Sequence, residues 1–374
     1  MLISSSLIQL TPPNPDHAEI SLFGPGIGEC IVLHYGNGRW FIIDSCLCPE
    51  TKQPIALAYL NSIGVDASTQ VTGILITHWH SDHIEGAFAL LKTCRNAKLY
   101  HSGALSSREA FHLAAIYKKD IFSNIDREIR EFSNIVQFLF DAKDKSRLDP
   151  IKARLTFFDY RDDIQTRMIA LSPSSTAVTQ SISKLVELIP KNNSDRLRNV
   201  IPESENLNSV AIHFTFGRFS TVLGSDLEET GNMQTGWSAI FNSNIISELS
   251  LPASSLYKVS HHGSETGHHD KIWTDLMIDN PLSITTPFRR CGLPTPANIE
   301  RVTAISSEFI ITRDPASAKT IKRDNMVDRE MKAVTKERIG INEKMGHIQV
   351  RVSHGGEMNI AANKNCVRHI RRSI

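Results

Sequence analysis

The segment 78–83 reads HWHSDH, which places three imidazoles and one carboxylate within six consecutive residues. It follows the apolar run VTGILIT at 71–77, which predicts a buried strand. Alternation at the strand end sends His78 and His80 to one side, and the following turn lets Asp82 and His83 point back towards them. This combination of donors suits zinc, manganese or iron. Roughly one chain in a thousand would carry it by chance, so we interpret the segment as a metal site.

Two later segments offer further metal ligands after apolar strands. Gly224-Ser225-Asp226 ends one of them, and a carboxylate between two cations can bridge them. His261 and His262 follow another apolar strand at 256–260. Taken alone, Asp226 would be read as a helix N-cap and the two histidines as structural or exposed residues. Beside the segment 78–83, both become sources of ligands.

The elements that must position these residues alternate between strands and helices. Asn37-Gly38 between the apolar runs 29–34 and 40–44 predicts a hairpin, and a helix is expected over 54–63. A second hairpin is expected over 210–223, with a helix starting near Asp226. This alternation indicates a layered α/β architecture.

The bulk composition is that of a globular protein. The 374 residues are 41% hydrophobic and 22% charged, with a net charge of +1, so no global field attracts nucleic acid or membranes. A local basic groove is still compatible with a nucleic-acid substrate. Six cysteines without a CxxC pair favour reduced thiols, and no export signal or membrane span is predicted, so we expect a cytoplasmic location.

The order of these motifs, together with Asp44 at a strand end, resembles that of the metallo-β-lactamase superfamily. The segment KVSHHGS at 258–264, with Asn208-Ser209-Val210 ahead of its strand, is similar to the hydrolase domain of ComEC-type DNA-uptake proteins and its stand-alone relatives. The segment GLPTP at 292–296 also resembles the closing part of that branch. The channel segments of the uptake proteins are absent, which implies a free soluble enzyme.

The resemblance implies an α/β (α+β) fold, a four-layer αββα sandwich formed as a single domain by residues 1–374. Helical insertions are expected at about 104–150, 174–205 and 314–345. The resemblance also implies two divalent metal ions, with zinc expected first and manganese or iron as alternatives. The implied roles are His78 and His80 for the first metal; Asp82, His83 and one of His261 or His262 for the second; Asp226 as the bridge; and Asp44 as the residue that orients a histidine ligand.

One position departs from the superfamily pattern. A further histidine often reaches the first metal from a strand end before the bridging aspartate, but this chain has Ser172 there. His101, His112 or His213 could substitute, although each is interpreted more simply as a packing or surface residue. The first metal site is therefore expected to be weak, water-filled or empty.

Metal-activated hydroxide attacking a phosphodiester is the first functional hypothesis, with nucleic acid or a nucleotide as the substrate. Asp82 and Asp226 would act at the metals, and His268 would donate a proton to the leaving group. Lys258 and Ser264 are candidates for substrate contact, as is His269.

Two other hypotheses stay open. The same centre would serve a lactone, thioester or β-lactam hydrolase. With Ser172 in place of histidine, the chain could instead be a non-catalytic regulatory module with a structural metal, whose helical insertions bind a partner protein. Neither the substrate nor the oligomeric state follows from the sequence.

Overall fold

The computed structural model describes residues 5–103, 127–141, 144–161, 163–188, 203–316 and 345–371. Much of the three predicted insertions lies outside the described residues, as does His112. The extent of the domain and of its insertions therefore stays a prediction.

The described strands form two mixed sheets. The first has nine strands in the order β1-β16-β15-β2-β3-β4-β5-β6-β7 and the second has eight, in the order β17-β14-β13-β12-β11-β10-β9-β8. The strands of the first sheet are β1 Ser5–Ser6, β2 His17–Gly24, β3 Cys30–Tyr35, β4 Trp40–Ile43, β5 Val71–Ile76, β6 Lys98–Ser102, β7 Leu148–Ile151, β15 Gly346–Ser353 and β16 Met358–Ala362. Those of the second are β8 Thr156–Tyr160, β9 Thr166–Ala170, β10 Ile212–Phe216, β11 Phe219–Leu223, β12 Ser254–Lys258, β13 Met277–Thr285, β14 Glu308–Ile311 and β17 Val367–Ile370.

Helices cover the outer faces of both sheets. Each is short, and within the described segments none combines the length and apolar character that crossing a bilayer requires. The α-helices are α1 Ile55–Ser62, α2 Ala67–Gln70, α3 Ser81–Ile84, α4 Ala87–Thr93, α5 Arg127–Asp141, α6 Ser175–Leu188, α7 Gly236–Asn242, α8 Ile245–Glu248 and α9 Pro296–Ile305. Single turns of other helix types span Lys145–Arg147, Glu203–Asn208, Ser260–Gly263 and Ile272–Leu276.

Three apolar clusters separate the layers. The inner faces of the two sheets meet in one cluster, which includes Leu33 and Phe214. A second lies between the first sheet and helices such as α5, where Phe132 is buried. A third lies between the second sheet and α7 and α9, around Trp237. The layers therefore run helix, sheet, sheet, helix, and the predicted four-layer sandwich is confirmed.

Several expected elements differ in extent. The apolar segment 84–91 does not form one continuous helix, because Gly86, with a φ of +89°, separates α3 from α4. The helix expected near Asp226 begins only at Gly236. Strand β7 falls inside the predicted insertion 104–150 and pairs with β6. Helix α5 packs onto the core, so the described part of that segment belongs to the layered structure.

Parallel pairing sets the position of the site. In the first sheet β4, β5 and β6 run parallel, and in the second β11, β12, β13 and β14 do so. Residues that follow parallel strands at their carboxyl ends meet along one edge, where open α/β sheets commonly bind ligands. The predicted site residues follow β4, β5, β11 and β12, so both sheets deliver them to one edge of the sandwich.

Candidate metal centre

Four predicted ligands from three separate segments converge at this edge. The clustered atoms belong to Asp82, His83, Asp226 and His262, and one donor atom of each lies within 4.8 Å of the others. Asp226 Oδ2 lies 3.2 Å from Nε2 of both histidines, and Asp82 Oδ2 lies 3.5 Å from the same two nitrogens. All four residues are shielded from solvent.

These separations match the edges of a metal coordination tetrahedron. Ligand atoms at bond lengths of about 2.0–2.2 Å around one tetrahedral ion lie about 3.4 Å apart. His83 Nε2, His262 Nε2 and Asp226 Oδ1 are buried and make no hydrogen bond within the described residues. Burying a polar atom without a hydrogen-bond partner costs free energy. Polar atoms that lie close together but do not hydrogen-bond to one another therefore indicate a ligand that they share. The residues present therefore fit a divalent metal ion.

His78 and His80 form a second donor group beside the first. His78 Nε2 lies 3.1 Å from His80 Nδ1 and 4.0 Å from Asp226 Oδ2. Burial lowers the pKa of both histidines, and for His78 the neighbouring His83 adds to the effect. Both rings are therefore neutral near pH 7, which is the protonation state that ligates metals. Asp226 stands between the two donor groups.

Comparison with known proteins agrees with this geometry. The family model described as "Metallo-beta-lactamase superfamily" matches residues 23–150, about a third of the chain, including the segment 78–83. The chain has a metallo-β-lactamase fold. The matched third of the chain is similar to that superfamily. No curated protein sequence matches the chain.

Three solved structures illustrate how distant the similarity is. The metallo-β-lactamase SMB-1 bound to 2-mercaptoethanesulfonate is 12% identical, with 67% of this chain and 81% of that chain covered and a TM-score of 0.34. The metallo-β-lactamase fold protein YhfI from Bacillus subtilis is 10% identical, with coverages of 72% and 85% and a TM-score of 0.34. Zn²⁺-bound PqqB from Methylobacterium extorquens is 9% identical, with 72% of each chain covered and a TM-score of 0.31.

Within this metallo-β-lactamase fold, Asp44 lies directly behind His83. His83 Nδ1 donates to Asp44 Oδ2 over 2.7 Å, and the Thr77 backbone N–H donates to Asp44 Oδ1 over 2.8 Å. A carboxylate behind a histidine fixes the ring orientation and directs Nε2 towards the metal. Asp44 thus has the contacts that were predicted for an orienting residue.

A second buried network, which the sequence did not reveal, lies behind His262. His262 Nδ1 lies 3.0 Å from Thr286 Oγ1, which donates to Glu29 Oε2 over 2.6 Å. Glu29 Oε1 in turn lies 2.6 Å from Lys258 Nζ. The available signal was a charged residue directly before the apolar strand β3, but nothing in the sequence linked it to Thr286.

The structure distinguishes between the two adjacent histidines. His262 turns inwards to Asp82 and Asp226, whereas His261 Nδ1 lies 2.9 Å from Glu228 Oε1 and 20% of its side chain is exposed. Both residues adopt left-handed backbone angles, with φ of +46° and +52°. Such strain in two consecutive non-glycine residues concentrates at functional sites. Of the two, only His262 belongs to the cluster of ligands.

Ser172 does not contribute a ligand atom. Its hydroxyl donates to the Ser209 carbonyl over 2.6 Å and accepts from the Ala211 N–H over 2.8 Å. His213 donates to the Pro252 carbonyl, and His101 lines a small apolar cavity, so neither replaces the missing histidine. Among the described residues, which do not include His112, the first donor group therefore has fewer candidate ligands than the second.

The residues predicted to bind substrate or to donate a proton make contacts within the fold. Lys258 is fully buried, so the structure does not place it against a substrate. Ser264 bonds within its own loop, to His261 and Thr266. His268 Nε2 lies 3.1 Å from Asp270 and its Nδ1 accepts from the Trp273 indole, so both ring nitrogens are occupied. His269 stacks at a tilt against Phe241, 4.7 Å between ring centroids.

The pKa values of His262 and His83 are raised by the carboxylates that surround the two rings. Burial disfavours the charged form of His262, but Asp226 and Asp82 outweigh it and raise its pKa to about 9. Burial likewise opposes protonation of His83, yet Asp226, Asp44 and Asp82 raise its pKa well above the usual value. Without metal, protons on these rings take the place of a cation between the carboxylates. Metal and protons therefore compete for the same nitrogens.

Proposed function

We propose that this protein is a metal-dependent phosphodiesterase that acts on nucleic acid or nucleotides. The observation that carries the proposal is the position of Asp226. Its Oδ2 lies 3.2 Å from the ring nitrogens of His83 and His262 and 4.0 Å from His78 Nε2, between two donor groups. Such a carboxylate suits a two-cation centre, an arrangement that stabilises the attacking and leaving oxygens of a phosphodiester.

The chain's own residues would prepare this reaction. Asp82, His83, Asp226 and His262 would hold one divalent ion, and His78 and His80 would hold a second together with Asp226. Divalent metal held by these residues would supply a water of lowered pKa and would offset negative charge on phosphorus-bound oxygens.

The supporting residues would keep the ligands in place. Asp44 holds the His83 ring in the orientation that presents Nε2. Thr286 does the same for His262 and is itself fixed by Glu29. Burial keeps the His78 and His80 rings neutral by lowering their pKa, so their nitrogens are free to coordinate. Fixed ligands of this kind reduce the reorganisation needed when the reaction occurs.

The choice of a phosphodiester rests on the resemblance to the ComEC-type branch. The segment KVSHHGS at 258–264 supports that resemblance, and it contains both the proposed ligand His262 and the buried Lys258. The metal ligands alone would equally serve a carboxylic ester, thioester or lactam.

A substrate panel tests the proposal directly. Protein loaded with zinc or manganese is incubated with bis(p-nitrophenyl) phosphate, single- and double-stranded DNA, RNA and cyclic dinucleotides, and in parallel with lactone, thioester and β-lactam substrates. We expect phosphodiester cleavage that Asp226→Ala and His262→Ala abolish, while His354→Ala, at an exposed turn, retains it. Hydrolysis confined to the carbonyl substrates would contradict the proposal.

Ser172 supports one second candidate, a regulatory module with a structural metal. Because its hydroxyl is committed to backbone groups, the part of the chain that the structure describes supplies the first donor group with only His78, His80 and the shared Asp226. This candidate predicts tight binding of one metal ion per chain, together with no hydrolysis of any substrate in the panel.

A further inference from the structure

The loop 286–295 forms one wall beside the metal ligands. It joins β13 to α9, and the Phe288 ring stacks on His262 with 5.3 Å between centroids and 19° between planes. Pro294 packs against Gly263, where an added Cβ would lie 3.3 Å from the proline Cβ. Residues next to Phe288 in this loop therefore lie close to the centre.

The loop 24–29 forms the neighbouring wall and contacts the first. Its Glu29 N–H donates to the Asp82 carbonyl over 2.9 Å, which ties it to a metal ligand. The Arg289 N–H donates to the Gly26 carbonyl over 3.0 Å, which ties the two loops together. Gly26 has a φ of +109°, and a Cβ there would lie 2.5 Å from Arg289 Cδ. Glycine at this position therefore leaves room for the arginine side chain to cross the loop.

Arg289 and Arg290 follow Phe288 directly in the loop 286–295, and neither forms an ion pair with a carboxylate among the described residues. Arg289 Nε is buried and makes no hydrogen bond within the described part of the chain. A buried donor left without an acceptor is destabilising unless a ligand supplies one. Arg301 also has a buried Nε without a hydrogen-bond partner among the described residues, but its Nη2 donates to the carbonyls of Gly263 and Ser264 and so holds their loop.

We propose that Arg289 and Arg290 bind backbone phosphates of a nucleic-acid strand, beside the phosphodiester held at the metal centre. This inference rests on the proposed function. It narrows the proposed substrates to strands that contain several consecutive phosphates. A guanidinium group presents paired N–H donors that match two phosphate oxygens, and its charge persists at every physiological pH. The net charge of the whole chain is only +1, so the composition does not reveal this local pair of positive charges.

Binding to a labelled strand tests the inference apart from cleavage. Fluorescence anisotropy is measured with metal-loaded protein and a 5′-fluorescein, phosphorothioate-linked twelve-nucleotide strand, in DNA and RNA forms, between 50 and 200 mM salt. We expect Arg289→Ala/Arg290→Ala to weaken binding about tenfold or more. The slope of log Kd against log salt should fall by about 1.4, about 0.7 for each lost contact with a single strand.

The matched control is Arg161→Ala/Lys364→Ala, which removes the same charge from two exposed positions; Arg161 pairs with Asp159, away from both loops. It should change Kd by less than about twofold, because we expect the two control positions to make no contact with the phosphates of the strand. The Arg289→Lys/Arg290→Lys variant keeps the charge and should recover part of the affinity. If the double alanine variant does not fold, Arg290→Ala and Arg289→Lys are measured singly and should each weaken binding.

The outcomes separate this inference from the proposed function. Loss of strand binding in the arginine variant, with unchanged metal content and unchanged KM for bis(p-nitrophenyl) phosphate, supports it whether or not the strand is cleaved. Normal strand binding by the variant, or an equal loss in the control, would overturn it even if cleavage is observed. Absence of strand binding by the unmodified protein would overturn it as well.

Discussion

Lys258 and Glu29 form an ion pair behind the metal ligands that is shielded from solvent. Lys258 Nζ lies 2.6 Å from Glu29 Oε1, and the side chains are 0% and 2% exposed. Removing one partner of such a pair costs about 3–5 kcal/mol, because the other charge is left buried and unpaired. We therefore expect Lys258→Met and Glu29→Gln each to lower the free energy of unfolding by about this amount.

Removing both charges together should cost much less than the sum of the two single changes. The double variant Lys258→Met/Glu29→Gln removes both charges of the pair, and glutamine retains an acceptor for the Thr286 hydroxyl. Lys258 also contacts Asp226 and the Ser225 carbonyl, but these contacts are lost in the single and double variants alike and so cancel in the coupling energy. We expect a coupling energy of about 3 kcal/mol between the two positions. Chemical unfolding in urea, followed by tryptophan fluorescence in chelator-treated protein, measures all four free energies without a contribution from metal affinity.

An exposed ion pair of similar length provides the control. Lys98 Nζ lies 2.8 Å from Asp149 Oδ2, with side chains 53% and 36% exposed, so solvent screens its charges. The cycle Lys98→Met/Asp149→Asn should give a coupling energy below about 1 kcal/mol. A coupling at Lys258 and Glu29 no larger than this would refute the reasoning from burial.

Three further predictions follow from the site. In metal-free protein the pKa of His262 is raised to about 9, so its pairing with Asp226 stabilises the fold below pH 6.5 and is lost as pH rises through about 9. The pKa of His83 is raised as well, so its pairing with Asp226 is also lost as pH rises. For His262 this is a loss of about 3 kcal/mol, seen in urea unfolding at pH 6 and pH 10, and zinc-loaded protein should not show it. Elemental analysis after dialysis should find that His262→Ala loses one metal equivalent while His261→Ala retains it; equal losses would contradict the assigned orientations. Ser172→Ala should cost about 1–3 kcal/mol by leaving buried backbone groups unpaired, with unchanged metal content.

The part of the site that is local in sequence was predictable from the sequence. The segment 78–83 follows a strand directly, so strand geometry alone brings His78 and His80 together. Asp226 was identified because it also follows an apolar strand, and parallel pairing brings those strand ends to one edge. Asp44 lies behind His83 for the same reason.

The remainder depends on contacts between distant segments. Glu29 and Thr286 are 257 residues apart, and no local pattern indicates that they meet. The same limit applies to His261 and His262, because the backbone turn that directs only one of them inwards is fixed by neighbouring loops. Strand β7 escaped prediction because it carries Pro150, and proline is typical of strands at a sheet edge, where β7 lies.

Anomalous diffraction tests the central claim most directly. Crystals grown with zinc and measured on both sides of the zinc absorption edge should show a peak enclosed by Asp82, His83, Asp226 and His262, about 2.0–2.2 Å from one donor atom of each. Crystals of zinc-saturated protein that show no peak among these four side chains, or show zinc only elsewhere, would contradict the account.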